Sequence, residues 1–255
     1  MKSILYIVLL VLLTSFTLGR NSVEYRKKSP ISLDTLRLFD QSRQREIPIA
    51  IYKRKTDKEF KNQQIVIVSH GYNENRSGSY LGYTYLTEYL AANGFFVVSI
   101  QHELPTDSLI PQSGIPQIVR RPFWERGADN ISFVIQELKK SNPNLNFNRI
   151  TLIGHSIGGD MTALFPQKYP NIVDKIITLD NRRMALPRTN TPRVYSLRSS
   201  DQVADEGVLP TEEEMKKFDI TIIKLPNTLH NDMGDNATKK QGKEINTYVL
   251  KFLTN

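Results

Sequence analysis

The chain has 255 residues, no cysteine and a formal net charge of +8. Without cysteine it can form no disulfide, no thiolate nucleophile and no thiolate metal site. Hydrophobic residues make up 39% and charged residues 24% of the chain, a composition that is ordinary for a globular protein and excludes wholesale disorder. The basic residues are scattered and form no stripe with interleaved aromatics, so we expect no nucleic-acid partner and at most weak contact with a membrane surface.

The first residues have the layout of a secretory signal peptide. Lys2 supplies a positive charge, residues 4–16 are almost wholly apolar, and small residues precede Arg20. The apolar run is short for a helix that spans a membrane. We predict that residues 1–19 are cleaved and that residues 20–255 form a single exported domain, periplasmic or secreted. An uncleaved N-terminal membrane anchor is the alternative.

Next along the chain comes a predicted antiparallel hairpin, with strands over residues 32–39 and 47–53 joined by a polar turn. The later strands are apolar throughout, as is typical of strands buried on both faces of a sheet. They are predicted at 65–69, 95–100, 172–179, 193–197 and 220–225, with one more that begins at 150. Helices are predicted at 80–92, 129–140, 211–217 and 236–253, with one more after residue 158.

The connection at residues 101–123 contains four prolines, which predicts irregular structure there. Elsewhere strands alternate with helices, and this order requires parallel crossover connections. The sequence therefore predicts an α/β fold with a mostly parallel central sheet, helices on both sides and an N-terminal antiparallel hairpin.

Residues 150–165 have the pattern of a nucleophile elbow. An apolar strand runs into Gly-His-Ser-Ile-Gly at residues 154–158 and then into apolar residues at helical spacing. Between a strand and a helix, Gly-x-Ser-x-Gly places a serine on a very sharp turn, and the two glycines leave room for it. The pattern predicts that Ser156 is a nucleophile. A plain glycine turn is the alternative.

Histidine is the base that usually takes the proton of a serine nucleophile. The chain has four histidines, and only His230 follows Ser156. In an elbow of this kind the acid and then the histidine follow the serine along the chain. The order predicts His230 as the base, with an ordinary loop histidine as the alternative.

Two aspartates compete as the acid that orients the histidine. Asp201 follows the strand predicted at 193–197, and Asp180 follows the strand predicted at 172–179. We favour Asp201, keep Asp180 as the alternative acid and place Asp205 third. The unused aspartate would form a turn or pair with nearby arginines.

Backbone N–H groups are expected to form an oxyanion hole for the tetrahedral intermediate. Ile157, the residue after the serine, supplies the first donor. Tyr72, in the loop after the first buried strand, supplies the second, since Gly71 beside it allows close backbone approach. A plain glycine turn is again the alternative at this loop.

These residues together resemble the α/β-hydrolase superfamily. The resemblance rests on residues 154–159, on His-Gly-Tyr at 70–72 and on the spacing to Asp201 and His230, and it covers roughly residues 32–253. It implies the α/β-hydrolase fold and a serine hydrolase that needs no cofactor.

A looser resemblance links the chain to the group that contains dienelactone hydrolases and platelet-activating-factor acetylhydrolases. It rests on residues 39–48, 126–131 and 179–181. The acetylhydrolases place the acid after the earlier strand, which would favour Asp180. Dienelactone hydrolases use a cysteine nucleophile, and this chain departs from them because it has none.

We therefore expect an exported esterase for small-molecule or lipid-like esters. A serine peptidase and a binding module without turnover are the alternatives. Tyr72, Trp124 and the loop 101–123 are expected to wall the substrate pocket, and the short 180–193 connection predicts an open site without a cap domain. His230 with two nearby aspartates, Asp232 and Asp235, matches no strong metal pattern, so we expect no metal.

Overall fold

The computed structural model describes residues 30–55 and 61–255, and the predicted signal peptide, residues 1–19, lies outside these residues. Within them the chain forms an eight-stranded sheet of order β1-β2-β4-β3-β5-β6-β7-β8. The strands are β1 (Ile31–Asp40), β2 (Arg45–Arg54), β3 (Gln64–Ser69), β4 (Phe96–Ile100), β5 (Asn146–His155), β6 (Lys175–Leu179), β7 (Arg193–Arg198) and β8 (Thr221–Lys224).

Strand direction follows the predicted pattern. β1 and β2 form an antiparallel hairpin, and β2 also pairs antiparallel with β4. Every pair from β4 through β3 to β8 is parallel. The predicted α/β class with a mostly parallel sheet and an antiparallel start is confirmed.

Helices cover both faces of the sheet. They are α1 (Thr84–Ala92), α2 (Pro116–Val119), α3 (Arg121–Ser141), α4 (Ile157–Lys168), α5 (Glu212–Lys217) and α6 (Lys239–Thr254). Buried side chains of α3 and α4 pack in one cluster on one face, and those of α1 and α6 pack in a second cluster on the other.

The apolar strands serve both clusters because successive side chains of a strand point to opposite faces. In β3, Ile65 and Ile67 join the cluster of α3 and α4, whereas Val66 and Val68 join the cluster of α1 and α6. This explains why the strand shows no polar alternation.

The expectation of irregular structure over the whole of residues 101–123 is wrong. α2 occupies part of that connection, and α3 begins at Arg121 rather than at residue 129. Pro116 and Pro122 lie in the first turns of these two helices. Proline is tolerated there because a first-turn N–H has no partner within the helix, so these prolines begin helices instead of preventing them.

The helix predicted over residues 80–92 is divided. Residues Ser79–Leu81 form a single 3-10 turn, and α1 begins only at Thr84. Tyr83 lies between them with φ of 63°, a left-handed conformation that interrupts the helix. The interruption matters for the site, because it turns the phenol of Tyr83 toward the end of β5.

Within residues 30–55 and 61–255, no helix combines the length and the apolar character needed to cross a membrane.

Candidate active site

Ser156 lies on the turn between β5 and α4 with φ of 53° and ψ of −119°. Positive φ is rare for a residue that has a side chain and signals a turn held by its surroundings. The first helical N–H groups of α4 follow directly, and Ser156 N–H donates to Leu179 O of the neighbouring strand at 3.0 Å. The predicted strand, sharp turn and helix are therefore all present.

The glycines on either side of Ser156 are required by packing. A Cβ on Gly154 would lie 2.1 Å from Gly158 O, and a Cβ on Gly158 would lie 2.4 Å from Ser69 O. Both distances are far below van der Waals contact, and both opposing atoms belong to the backbone. The prediction that these two positions must lack side chains is confirmed.

His230 brings its imidazole to the serine hydroxyl. It begins a 3-10 turn, His230–Met233, after β8, and its Nε2 lies 3.0 Å from Ser156 Oγ. Its other ring nitrogen, Nδ1, lies 2.5 Å from Asp180 Oδ2. The hydroxyl, imidazole and carboxylate thus form one continuous hydrogen-bonded chain of the kind used in nucleophilic catalysis.

The preference for Asp201 as the partner of the imidazole is wrong in this structure, and the alternative, Asp180, occupies that position. Asp201 instead accepts a hydrogen bond from the backbone N–H of His230, 2.7 Å from its Oδ1. Asp205, the third choice, pairs with Arg183 at 2.9 Å. The two aspartates follow adjacent strands, so both reach His230, but at different atoms.

Asp180 is fully buried, and hydrogen-bond donors of neighbouring residues surround its carboxylate. Ser199 donates to it from its backbone N–H at 3.0 Å and from its hydroxyl at 2.7 Å, and Arg198 Nη2 lies 3.0 Å from Oδ1. Burial raises the pKa of this carboxyl, but the hydrogen bond with His230, the charge of Arg198 and the bonds from Ser199 more than offset it, and the pKa ends below its ordinary value. The carboxylate is therefore ionised at neutral pH.

The two expected oxyanion-hole donors lie near the serine and have no competing acceptor. In the described part of the chain, neither Tyr72 N–H nor Ile157 N–H donates a hydrogen bond. Tyr72 lines the same cavity as Ser156, and Ile157 is the first residue of α4. Both groups are thus available to a developing oxyanion.

His70 fixes the peptide group that carries the Tyr72 N–H. Its Nε2 accepts a hydrogen bond from His102 N–H at 3.1 Å, so its Nδ1 carries the proton and donates to Gly71 O at 2.8 Å. Gly71 C=O and Tyr72 N–H belong to one planar peptide and point in opposite directions. Holding the carbonyl therefore directs the N–H the other way.

A second network, which the sequence analysis missed, links the Tyr72 loop to His230. Gly71 N–H donates to the Tyr83 hydroxyl at 2.9 Å, and that hydroxyl lies 2.7 Å from His155 Nδ1. His155 Nε2 in turn lies 3.0 Å from His230 O. The bonds are mutually consistent if Tyr83 donates to Nδ1 and His155 donates from Nε2.

His155 stays neutral in this network. Burial, together with the nearby His230, lowers its pKa to about 3. Its ring lies beside that of His230, with centroids 4.7 Å apart. The position of His155 inside the elbow could have suggested such a role, but no sequence signal marked Tyr83.

An open cavity of about 460 Å³ adjoins the serine. Tyr72, Tyr83, His155, Ser156 and His230 line one part of it, and four of the six residues that follow His230 line another. Trp124, expected as a pocket wall, is instead part of α3 and is fully buried in the core. Its place inside a helix, rather than in a loop, explains the difference.

The acidic residues after His230 have structural partners. Asp232 accepts from Gln241 at 2.9 Å, and Asp235 accepts from Thr84 N–H at 2.6 Å. Among the residues that the structure describes, no group of three or more histidine, aspartate or glutamate side chains is arranged to hold a metal ion.

Part of the chain is similar to known hydrolases. A family model for hydrolases, described as serine aminopeptidase S33, matches residues 61–179. A Drosophila melanogaster protein described as a "probable serine hydrolase" is 27% identical over 92 residues, which cover 36% of this chain and 25% of that protein. The match thus spans about a quarter of the relative's length.

Solved structures with a similar fold include hydrolases. A Klebsiella pneumoniae protein assigned as a dienelactone hydrolase has a TM-score of 0.62 and 12% identity, covering 89% of this chain and 99% of that one. An esterase from Rhizomucor miehei has a TM-score of 0.61 and 10% identity, covering 89% and 84%. At these identities the likeness concerns the fold alone.

Proposed function

We propose that this chain belongs to the α/β-hydrolase superfamily and is a serine hydrolase that cleaves carboxylic esters. Ser156 Oγ attacks the ester carbonyl while His230 Nε2 takes the hydroxyl proton, and the backbone N–H groups of Tyr72 and Ile157 stabilise the oxyanion. His230 then gives the proton to the leaving oxygen as the carbon–oxygen bond breaks. A water molecule then attacks the acyl-enzyme carbonyl while His230 takes its proton. His230 returns this proton to Ser156 Oγ as the carboxylic acid is released.

The observation that carries the proposal is the hydrogen-bonded chain from Ser156 through His230 to Asp180. Asp180, buried and ionised, would hold the imidazole in the tautomer that accepts the serine proton and would stabilise the imidazolium. The positive φ of Ser156 also supports the proposal, because strained backbone conformations of this kind are concentrated at active sites. The proposed reaction uses water and the groups of the chain itself.

Peptide hydrolysis is the second candidate, because the matching family model is described as a serine aminopeptidase. The same triad cleaves amides. Esters are favoured because the solved structures of similar fold include several esterases. A binding module without turnover is the remaining alternative.

The test is hydrolysis of p-nitrophenyl esters, from acetate to longer acyl chains, beside amino-acid p-nitroanilides. We expect ester turnover by the purified protein and a loss of more than about 10³-fold in kcat for Ser156→Ala. Ser141→Ala, at an exposed serine at the end of α3, is the matched control and should match the wild type.

Labelling gives an independent readout. A fluorophosphonate should add its mass to Ser156 in the wild type and leave Ser156→Ala unmodified. Turnover of anilides but not esters would select the peptidase reading. Absence of both turnover and labelling would select the binding module.

A further inference from the structure

The cavity beside Ser156 lies on the side where an ester's alcohol must leave. The leaving oxygen receives its proton from His230 Nε2, so the alcohol has to lie next to that ring. Asn231, Gly234, Asp235 and Asn236, which follow His230 in sequence, line this cavity. The three polar side chains among them, Asn231, Asp235 and Asn236, are therefore available to the alcohol half of the substrate.

This part of the cavity is polar. The side-chain amides of Asn231 and Asn236 are exposed and make no hydrogen bond with any described residue. Asn73 also lines the cavity and donates to the Ser79 hydroxyl at 3.2 Å. Each amide offers both donors and an acceptor, and a hydroxyl needs one of each.

The carboxylate of Asp235 is a further polar group in the lining of the cavity. Asp235 Oδ1 accepts from Thr84 N–H at 2.6 Å and from the Thr84 hydroxyl at 3.1 Å, which holds the group in place. Its Oδ2 accepts from no described residue. A fixed carboxylate oxygen of this kind accepts hydroxyl protons well and repels a negatively charged alcohol such as a phosphate ester.

Gly234 leaves room for a ring. A Cβ at this position would have only Tyr83 atoms near it, at 3.9 Å, and the backbone φ is −97°, which any residue can adopt. The cavity of about 460 Å³ is thus kept wide at Gly234 by the missing side chain.

We infer that the substrate is an ester whose alcohol is a neutral, polyhydroxylated ring, as in an O-acylated sugar. The inference rests on the proposed ester hydrolysis and adds the class of alcohol. A hydrocarbon alcohol would displace water from the exposed polar groups of Asn231, Asp235 and Asn236 without replacing its hydrogen bonds, whereas sugar hydroxyls replace them.

The test compares alcohols with one acyl group. 6-O-Acetylglucose and hexyl acetate both release acetate from a six-carbon primary alcohol, and acetylcholine supplies a cationic alcohol. We expect kcat/KM for 6-O-acetylglucose to exceed that for each of the others by about tenfold, since the polar pairing is lost with them. Acetate release is measured by pH-stat.

Variants connect the preference to the cavity. Asn231→Ala and Asn236→Ala should each lower the ratio of kcat/KM for 6-O-acetylglucose to that for ethyl acetate by about threefold to tenfold. Gly234→Val should lower the same ratio by narrowing the space for the ring. Asn227→Ala is the matched control, since Asn227 is an exposed asparagine in the same loop outside the cavity lining.

Faster hydrolysis of hexyl acetate or acetylcholine than of 6-O-acetylglucose overturns the inference. So does an unchanged ratio in all three variants. These outcomes leave ester hydrolysis by Ser156 intact, whereas failure of the proposed function appears as equal inactivity of wild type and Ser156→Ala on every ester.

Discussion

At the scale of single residues, His230 is held at three atoms by three different parts of the chain. Asp180 binds Nδ1, Asp201 binds the backbone N–H, and His155 binds the backbone oxygen. Rotation of the ring is thus controlled by one aspartate, while the position of the main chain is controlled by the other and by His155. The two aspartates should therefore differ sharply when substituted.

We expect Asp180→Asn to lower kcat on p-nitrophenyl acetate by about 10³-fold to 10⁴-fold, because an amide at Nδ1 favours the wrong imidazole tautomer. Asp201→Asn keeps an oxygen that can accept from the His230 N–H, so its loss should stay below about tenfold. Steady-state kinetics of the two variants measure the difference, and far-UV circular dichroism checks that both are folded. A greater loss in Asp201→Asn than in Asp180→Asn would contradict the assignment.

Where a residue had no rival, sequence reasoning chose residues that the structure brings together. Ser156 has a local pattern, and His230 was selected because no other histidine follows it. The choice of the acid had two candidates, since Asp180 and Asp201 both follow the carboxyl ends of neighbouring parallel strands. Which carboxylate meets the ring depends on how the 3-10 turn at His230 lies across these strand ends, and this is a tertiary property.

At the scale of elements, hydrophobic periodicity identified the strands and most helices. Prolines caused the error at residues 101–123, because Pro116 and Pro122 suggest irregular structure in the sequence but lie in the first turns of helices. The division before α1 was also missed, since only the backbone conformation of Tyr83 reveals it. Local patterns therefore gave the order of elements better than their ends.

Asp160 connects α4 to the loop after β6. Its Oδ1 accepts from the backbone N–H groups of Arg182, Arg183 and Met184 at 2.9–3.2 Å. Burial raises the pKa of Asp160 to about 6 even though these hydrogen bonds lower it. The folded state thus binds this proton more tightly than the unfolded state, so stability falls as pH rises from the unfolded pKa toward about 6 and is level above it.

The prediction compares Asp160→Asn with the wild type. The asparagine carbonyl can accept the same backbone bonds and does not titrate. We expect the wild type's free energy of unfolding, relative to that of the variant, to fall by about 2 kcal/mol between about pH 4.5 and pH 7.5. Urea unfolding across this range measures it. Parallel stability curves for the two proteins would show that Asp160 does not titrate there.

At the scale of the whole molecule, export and cleavage after residue 19 remain predictions from the sequence. They rest on the apolar run at residues 4–16 behind Lys2. The absence of cysteine means that folding after export would not depend on oxidation. The described residues form one continuous sheet, so we also expect a single cooperative unfolding transition for residues 20–255.

Expression of residues 1–255 in a secreting bacterial host tests the predicted export and cleavage. We expect the exported protein to begin at Arg20, as read by mass spectrometry of its N-terminal peptide. Leu10→Arg, which places a charge in the apolar run, should retain the uncleaved chain inside the cell. An intact N-terminus in the membrane fraction of the wild type would instead support the anchor.

The residues around the serine divide into two groups with different freedom to change. Ser156 and Asp180 directly follow the buried strands β5 and β6, and the conformation of Ser156 and the hydrogen bonds of Asp180 depend on those strands and their neighbours. The cavity residues that follow His230 lie in one short segment before α6, on the surface of the molecule. Duplicated genes can thus diverge in the alcohol that their products release through a few substitutions in this segment, while Ser156, His230 and Asp180 stay unchanged.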